Sequence, residues 1–533
     1  MPTTTRARPS FAAAALCLIA ATAFAAPPTE FDERVEEVRK AAGIPGMSIA
    51  IVENGEITLA RGYGVRKLGN RELVDADTIF PTGSTGKAFT VTALAILADR
   101  GEIAWDDPVI EHMPWFRMYD PWVTREITVR DLLVHRSGLG LGAGDLLFVP
   151  RTNLNRRESV ERLRHIKPAT SFRSAYAYDN VLYMAAGQLI EEVTGRTWET
   201  FVAEEIFDPA GMSSSTSDDD QRFENPNRAW PHARLNGTFR GLGDQEVLDE
   251  RNGLGRNSAP AGGLSISAND MARWLMIQLD RGALPDGDGR LFSESASDEM
   301  WTPVVFMPIS GYMDRIEGLR PHFNTYALGW DVMDYQGARI VRHDGAVFGF
   351  LATVVLMPEK NVAFSLFVNS EDGEAQVGLM YELLDHYLGR ADAGWPERIA
   401  AYKKSRVAEA IEAFEAFESE TNKAAKVGPS LPLESYAGSY TDPWYGPVSI
   451  TFEDGNLALD FLQTPDMAGV LEHWQYDTFR TNWTDATIEP AYVTFALDAD
   501  GKVERMTMKA VSPLADFSYD YHDLSFTPTP KED

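Results

Sequence analysis

The stretch Phe80-Pro-Thr-Gly-Ser-Thr-Gly-Lys-Ala-Phe89 places a serine and a lysine three residues apart where a turn passes into a helix. The apolar run that follows is typical of a buried helix, and Gly101 is a helix terminator. Residues three apart share one helix face, so the Ser84 hydroxyl and the Lys87 amine are predicted to meet. A helix N-terminus also offers free backbone N–H groups. The stretch therefore suits a nucleophile whose product is an oxyanion, although Ser-x-x-Lys alone is a common pattern.

Length and composition favour a globular protein of two or three domains. The chain has 533 residues, of which 44% are hydrophobic and 24% charged. Its formal net charge of −30 argues against nucleic acid and against anionic membrane surfaces as partners. The acidic residues are scattered, apart from Asp218–Asp220, and scattered acidity is typical of a solubilising surface.

The first 25 residues have the pattern of a secretory signal peptide. Arg6 and Arg8 precede an apolar stretch, and Ala23-Phe24-Ala25 is a small-x-small cleavage pattern. The apolar stretch is shorter than the roughly 20 residues that cross a bilayer. Cys17, the only cysteine, lies within it, so the mature chain would have no disulfide. We expect an exported, periplasmic protein without a stable membrane anchor.

The remaining chain divides into a large domain, a linker and a small domain. Asn54-Gly55 between two strand patterns predicts a hairpin, and strand patterns return at residues 340–369 before a helix over 375–388. Residues 27–395 are therefore predicted to form one α/β layer domain. Residues 396–430 are rich in Ala, Glu, Lys and Arg and predict a helical linker. Short strands over 431–533 predict a small antiparallel β-barrel.

A serine needs a base to become a nucleophile, and three candidates follow from the residues. They are Lys87, Tyr178 of the Tyr-x-Asn triplet, and a histidine. No Gly-x-Ser-x-Gly elbow supports the histidine option, and His135 is predicted to be structural. Neither a phosphate-loop pattern nor a His-x-x-x-His metal pattern is present, so no metal and no cofactor is expected. The choice between Lys87 and Tyr178 stays open.

Four motifs follow one another along the first domain: Ser84-Thr-Gly-Lys87, Leu132-Leu-Val-His135-Arg-Ser-Gly-Leu139, Tyr178-Asp-Asn180 and His343-Asp-Gly345. Their order and spacing resemble those of the serine β-lactamase and penicillin-binding-protein superfamily. The resemblance covers about residues 30–390 and is greatest to the branch with class C β-lactamases, D-amino-acid-specific peptidases and carboxylesterases. The C-terminal region, with residues 431–440 and 471–480, looks like the lipocalin-like domain appended to some of these hydrolases.

The resemblance implies a three-layer fold, in which helices flank an antiparallel sheet, and an acyl-enzyme mechanism. Ser84 would be the nucleophile, and Lys87 and Tyr178 would share its proton. The remaining roles would be substrate positioning and oxyanion binding, by Asn180, His343, Gly345 and the backbone N–H of Ala346. His343 stands where lactamases carry the Lys of Lys-Thr-Gly. A histidine at this position is common in the esterase and peptidase members.

Two positions depart from the superfamily's usual pattern. Asp179 replaces a small residue in the Tyr-x-Asn triplet, which would alter loop packing, and Asp344 replaces Thr after His343. The loss of the Lys-Thr pair would weaken recognition of a β-lactam carboxylate. We therefore expect an exported serine hydrolase, a peptidase or esterase acting on a small molecule or short peptide. The alternatives are a β-lactamase and a binding or sensing protein that uses the barrel. The sequence leaves the substrate and the oligomeric state open.

Overall fold

A computed structural model describes residues 27–251, 253–287, 289–423 and 427–530. The predicted signal peptide lies outside these ranges. Within them, none of the helices combines the length and the apolar character needed to span a bilayer.

The first domain is built on a sheet of eight antiparallel strands. Its spatial order is β2-β1-β8-β7-β6-β5-β4-β3. The strands are β1 (Gly46–Glu53), β2 (Glu56–Gly64), β3 (Val305–Phe306), β4 (Asn324–Tyr326), β5 (Asp331–Tyr335), β6 (Ala338–Val347), β7 (Phe350–Met357) and β8 (Val362–Val368).

The sheet joins the two ends of the domain's sequence. Met47 in β1 pairs with Val368 in β8, so strands from the beginning and the end of the domain are neighbours. Both strands are buried along their whole length, as expected for strands covered on both faces. At the predicted hairpin between β1 and β2, Asn54 and Gly55 both have positive φ, the geometry that favours this dipeptide.

Helices cover both faces of the sheet, which confirms the predicted three-layer fold. The core on one face includes residues of α1, α5 and the first turns of α6, and the core on the other includes α2, α3 and α4. The longer helices are α1 (Phe31–Ala42), α2 (Lys87–Asp99), α3 (Val181–Thr194), α4 (Ala268–Leu279), α5 (Glu374–Tyr387) and α6 (Trp395–Lys423). The shorter ones are Val109–His112, Pro121–Glu126, Arg156–Glu161, Trp198–Val202, Asp208–Ala210, Asp219–Glu224, Ala259–Gly262, Glu294–Met300 and Tyr312–Arg315.

Helix α2 is the central helix of this layer. Every residue from Lys87 to Leu97 is buried, and the Phe89 ring stacks on Trp274 of α4 with 3.8 Å between ring centroids. A 3₁₀ turn, Gly83–Gly86, leads into the helix and carries Ser84. The predicted buried helix is therefore present, and burial of its first residue puts the Lys87 amine inside the protein.

The C-terminal region is a closed antiparallel barrel of eight strands. Aromatic rings pack against each other inside it, among them Tyr436, Phe461, Phe479 and Phe495. The strands are β9 (Gly438–Asp442), β10 (Gly446–Glu453), β11 (Asn456–Phe461), β12 (Ala468–Gln475), β13 (Thr478–Trp483), β14 (Ala491–Leu497), β15 (Val503–Ala510) and β16 (Ser525–Pro528).

The barrel rests on loops of the first domain. Arg162 donates to the Trp444 carbonyl over 2.9 Å, and the Asn153 backbone N–H donates to the Gln463 carbonyl over 2.8 Å. The loop between β15 and β16 reaches furthest and meets residues 142–146 of the first domain.

Candidate active site

The turn that carries Ser84 lies directly against strand β6. A Cβ atom on Gly345 would lie 2.0 Å from the Thr82 carbonyl oxygen and 3.0 Å from the Ser84 backbone nitrogen. A Cβ on Gly83, whose φ is +52°, would lie 2.7 Å from the Ala346 nitrogen. Only residues without a side chain allow this approach. The contact places the backbone of Ser84 against the segment of β6 that contains Ala346, so the two expected oxyanion donors lie on touching segments.

The Lys87 amine is buried and surrounded by three hydrogen-bond acceptors. Nζ lies 3.0 Å from Ser84 Oγ, 2.7 Å from Asn180 Oδ1 and 2.9 Å from the Ala261 carbonyl oxygen. Burial lowers the pKa of Lys87 to about 7, although the charges of Asp145 and Asp179 partly oppose the shift. A large fraction of this amine is therefore neutral near pH 7 and able to accept a proton.

Tyr178 stands over the lysine. Lys87 Nζ lies 4.7 Å from the Tyr178 ring centroid, and the phenol is within hydrogen-bonding reach of Ser84. Burial raises the pKa of Tyr178 well above its usual value, and the hydrogen bond to Ser84 only partly opposes this. At neutral pH the phenol is protonated, so Lys87 is the better proton acceptor of the two candidate bases.

His135 packs against the Tyr178 ring and is held there by Asp179. The His135 ring is fully buried, 4.2 Å from the Tyr178 ring, and its Nδ1 accepts from the Asp179 backbone N–H at 3.2 Å. Burial lowers the pKa of His135. The Asp179 carboxylate accepts a 2.9 Å hydrogen bond from the Ser137 hydroxyl. The unusual Asp179 thus ties two motifs together outside the reacting groups, in line with an effect on loop packing.

His343 faces the site as a neutral imidazole. Its Nδ1 donates to the Asp344 carbonyl over 2.6 Å, so its Nε2 accepts from the Tyr326 hydroxyl, 2.9 Å away. Burial lowers the pKa of His343 to about 3, and the charge of Lys87 contributes to the same shift. The Asp344 side chain alternates to the other face of the sheet, where it pairs with Arg342 and Thr353. The replacement of Thr by Asp344 therefore adds no carboxylate to the site.

The structure brings the predicted residues together and adds others. Lys87 contacts both Ser84 and Asn180 directly, and Tyr178 and His343 stand beside them with 6.4 Å between ring centroids. Sequence motifs did not indicate Asp145, the Ala261 carbonyl, Tyr326 or Ser518. The side chains of Asp145, Tyr326 and Ser518 stand in stretches without a recognisable pattern, and the Ala261 carbonyl belongs to the backbone.

A cavity of about 1080 Å³ opens beside the site. Gly262, which packs on Gly83, and Val347, which follows Ala346, both line it. Charged side chains of both signs, including Arg151 and Glu250, also line it. Ser84, Lys87 and Tyr178 are not among the lining residues, so this cavity adjoins the serine turn without containing the reacting groups.

Comparison with known protein families assigns both parts of the chain. The beta-lactamase family model matches residues 31–387, two thirds of the sequence. The chain belongs to the beta-lactamase family. Residues 422–528 match a second model, described as a domain of unknown function, DUF3471. The predicted superfamily is confirmed, and the C-terminal barrel falls within the second match.

Several characterised relatives of this beta-lactamase-family chain are named hydrolases or penicillin-binding proteins. The unguisins hydrolase ungD' of Aspergillus campestris is 29% identical over 80% of this chain and 78% of its own length. Penicillin-binding protein 4 of Amycolatopsis lactamdurans is 27% identical over 69% of this chain and 92% of its own. The family and these relatives identify the chain as a serine hydrolase of this superfamily.

Solved structures agree with the fold. The octameric penicillin-binding protein homologue from Pyrococcus abyssi superposes with a TM-score of 0.56 at 20% identity, covering 93% of this chain and 99% of its own. SurE superposes with a TM-score of 0.51 at 19% identity over 93% of this chain and 98% of its own. At this level of identity the similarity concerns the fold alone. The matched 93% of this chain includes residues of both the first domain and the barrel.

Proposed function

We propose that this protein is an exported hydrolase that cleaves peptide-like amides or small esters through an acyl-enzyme on Ser84. Lys87 takes the proton of the Ser84 hydroxyl as Oγ attacks the substrate carbonyl, and the N–H groups of Ser84 and Ala346 receive the oxyanion. The proton then passes, with Tyr178 as relay, to the departing amine or alkoxide. Water repeats the same steps to release the acid and restore Ser84.

The observation that carries this proposal is the environment of Lys87. A buried amine in contact with a serine hydroxyl, with its pKa lowered to about 7, is what a general base at neutral pH requires. Asn180 and the Ala261 carbonyl fix the direction of the amine toward Ser84. The named activity of the unguisins hydrolases supports hydrolysis as the reaction type.

Neutral His343 bears on the substrate class. Where a β-lactamase offers a lysine to the antibiotic's carboxylate, this site offers an uncharged imidazole held by Tyr326. A substrate without a carboxylate at that position matches this environment better than a β-lactam does. Esters and peptide-like amides meet that condition.

The test is labelling and turnover with purified full-length protein. The wild type should react with a fluorophosphonate probe and hydrolyse members of an ester and aminoacyl-amide library at steady state, and Ser84→Ala should do neither. Equal labelling of both proteins would contradict the proposal. Rapid turnover of a chromogenic cephalosporin would favour the β-lactamase alternative. A single turnover without recovery would favour the binding or sensing alternative.

A further inference from the structure

The loop between β15 and β16 of the barrel forms a tight contact with the first domain. A Cβ on Gly142, whose φ is +70°, would lie 2.6 Å from the Phe517 carbonyl oxygen, so this contact needs glycine. The Phe517 ring meets Tyr178 edge-on, with 6.2 Å between centroids. Asp520 of the same loop is fully buried and accepts the Gly144 backbone N–H over 2.7 Å. The barrel thus reaches residues that adjoin the site.

Asp145 connects this loop to the lysine. Its Oδ2 accepts a 2.8 Å hydrogen bond from Ser518 Oγ and a 3.0 Å hydrogen bond from Asn180 Nδ2. Asn180 Oδ1 in turn accepts from Lys87 Nζ over 2.7 Å. Because the carboxylate occupies the Nδ2 side of the amide, Asn180 must present its oxygen to the lysine. Four side chains from both domains thus form one hydrogen-bonded chain.

Burying the Asp145 carboxyl in this chain of hydrogen bonds disfavours folding. Asp145 is fully buried, and its Oδ1 has no hydrogen-bond partner among the described residues. A buried carboxyl with an unpaired oxygen destabilises a fold unless its remaining contacts compensate. An apolar residue at position 145 would avoid this cost, so the carboxyl is better explained by its action on the site.

We propose that Asp145 is a positioning residue for the Ser84 reaction, which holds Asn180 and through it the Lys87 amine, and that Ser518 of the barrel holds Asp145. The inference rests on the proposed function. It makes the barrel a part of the catalytic apparatus, since the chain from Lys87 ends on a barrel side chain.

The ionisation of Asp145 can be followed in the pH dependence of the reaction. Burial raises the pKa of Asp145 to about 8, whereas the hydrogen bonds from Ser518 and Asn180 and the charge of Lys87 lower it and that of Asp516 raises it. Asp520 is a further buried acid nearby: burial raises its pKa well above the usual value, and the charge of Asp145 raises it further.

The charges of Asp145 and Asp179 raise the pKa of Lys87, which also lies near the neutral His343 and the phenols of Tyr178 and Tyr183. Because the pKa of Asp145, about 8, lies above that of Lys87, about 7, the Asp145 carboxyl ionises on the alkaline side of the lysine's titration. Since this new charge raises the proton affinity of Lys87, kcat/KM of the wild type should show an inflection near pH 8.

The experiment compares three full-length variants with the wild type on the best ester or amide substrate. Asp145→Asn keeps an amide oxygen for Asn180 and removes the group that ionises. Ser518→Ala removes the hydroxyl that holds Asp145. Ser512→Ala is the matched control, because among the described residues the Ser512 hydroxyl accepts a hydrogen bond from the Leu514 backbone N–H, within the same loop, and none from the first domain.

We expect Asp145→Asn to lower kcat about tenfold or more and to remove the inflection near pH 8. Ser518→Ala should move the inflection toward higher pH by about half a unit, because it removes a hydrogen bond that lowers the pKa of Asp145. Ser512→Ala should leave both kcat and the inflection unchanged. If Asp145→Asn does not fold, Ser518→Ala decides.

A loss of activity with an unchanged inflection near pH 8 would overturn the inference in favour of a purely structural role, and so would wild-type kinetics in Asp145→Asn or Ser518→Ala. These results differ from a failure of the proposed function itself. In that case the wild type would resist the fluorophosphonate probe as fully as Ser84→Ala, whatever residue stood at 145.

Discussion

The interior of the barrel and the helical face of the eight-stranded sheet contrast in what they bury. Inside the barrel, Tyr436, Phe479 and Phe495 pack ring against ring, and the Tyr436 hydroxyl reaches out to Asp477. Beneath the sheet, Lys87 and Asp145 are as deeply buried as any phenylalanine of the barrel. Burying ionisable groups disfavours folding, whereas burying aromatic rings favours it.

The contrast separates the tasks of the two regions. The barrel's filled interior stabilises a scaffold, and its contribution to chemistry comes from the loop that carries Ser518. The first domain accepts destabilising groups because they give Lys87 an unusual proton affinity. Four substitutions test this division.

Replacement of the buried lysine should have the largest effect. Lys87→Met is expected to lower kcat by about 10³–10⁴-fold, because the proton acceptor for Ser84 is lost. The melting temperature should stay near that of the wild type, since a methionine avoids the desolvation of a buried amine. The control is Lys67→Met, whose amine lies over the Trp230 ring away from the site. Turnover by Lys87→Met within tenfold of the wild type would remove Lys87 as the base.

A cavity inside the barrel should affect stability instead. Phe479 is fully buried, and Phe479→Ala is expected to lower the free energy of unfolding of the barrel by about 3–5 kcal/mol. Urea unfolding followed by tryptophan fluorescence measures this loss. The folded fraction should keep its kcat/KM. Phe452→Ala, on the same barrel with 38% of the side chain exposed, should cost far less; equal losses would mean that the interior is not packed as described.

A methyl group between the serine turn and β6 should affect chemistry with little effect on the rest of the fold. In Gly345→Ala the new Cβ meets the Thr82 carbonyl oxygen and must push β6 away. Displacing one oxyanion donor is expected to lower kcat about 10²–10³-fold. Gly428→Ala, where a Cβ meets nothing within 4 Å, is the control. Single-turnover acylation rates measure the effect, and an unchanged rate would exclude the Ala346 N–H as an oxyanion donor.

The smallest effect is expected at Asp344, next to His343 in sequence and opposite to it in orientation. Because its side chain pairs with Arg342 and Thr353 on the far face of β6, Asp344→Asn should change kcat/KM by about twofold or less. His343→Asn, on the near face, should change it far more. A tenfold loss in Asp344→Asn would show that this residue faces the substrate after all.

The residues that belong to sequence motifs could be predicted, because nucleophilic catalysis requires particular residue types at particular spacings. The Ser84–Lys87 pair follows from one helix turn, and Tyr178 and His343 follow from motif order. Asp145 could not be found, because one aspartate in a loop has no spacing to a partner until the fold supplies Asn180 and Ser518. The Ala261 carbonyl is a backbone group, so the residue type at that position does not indicate its role.

The fold was predictable to a similar degree. The hairpin at Asn54-Gly55, the helix ending near residue 388 and the barrel all follow from local patterns. The start of α6 is a different case, because Trp395 and Ile399 pack into the core on the sheet face covered by α1 and α5, although the residues around them are typical of a charged linker. Two apolar residues become a core contact only when α5 is there to meet them.

The pairing of β1 with β8 has a consequence for the order of events during synthesis. The Gly46 backbone N–H donates to Asn369, 323 residues later in the sequence. A nascent chain that ends before residue 362 has β1 and β2 but lacks the strand that connects them to β6 and β7. The eight-stranded sheet that contains β6, the strand beside the Ser84 turn, can therefore be complete only after translation has passed β8.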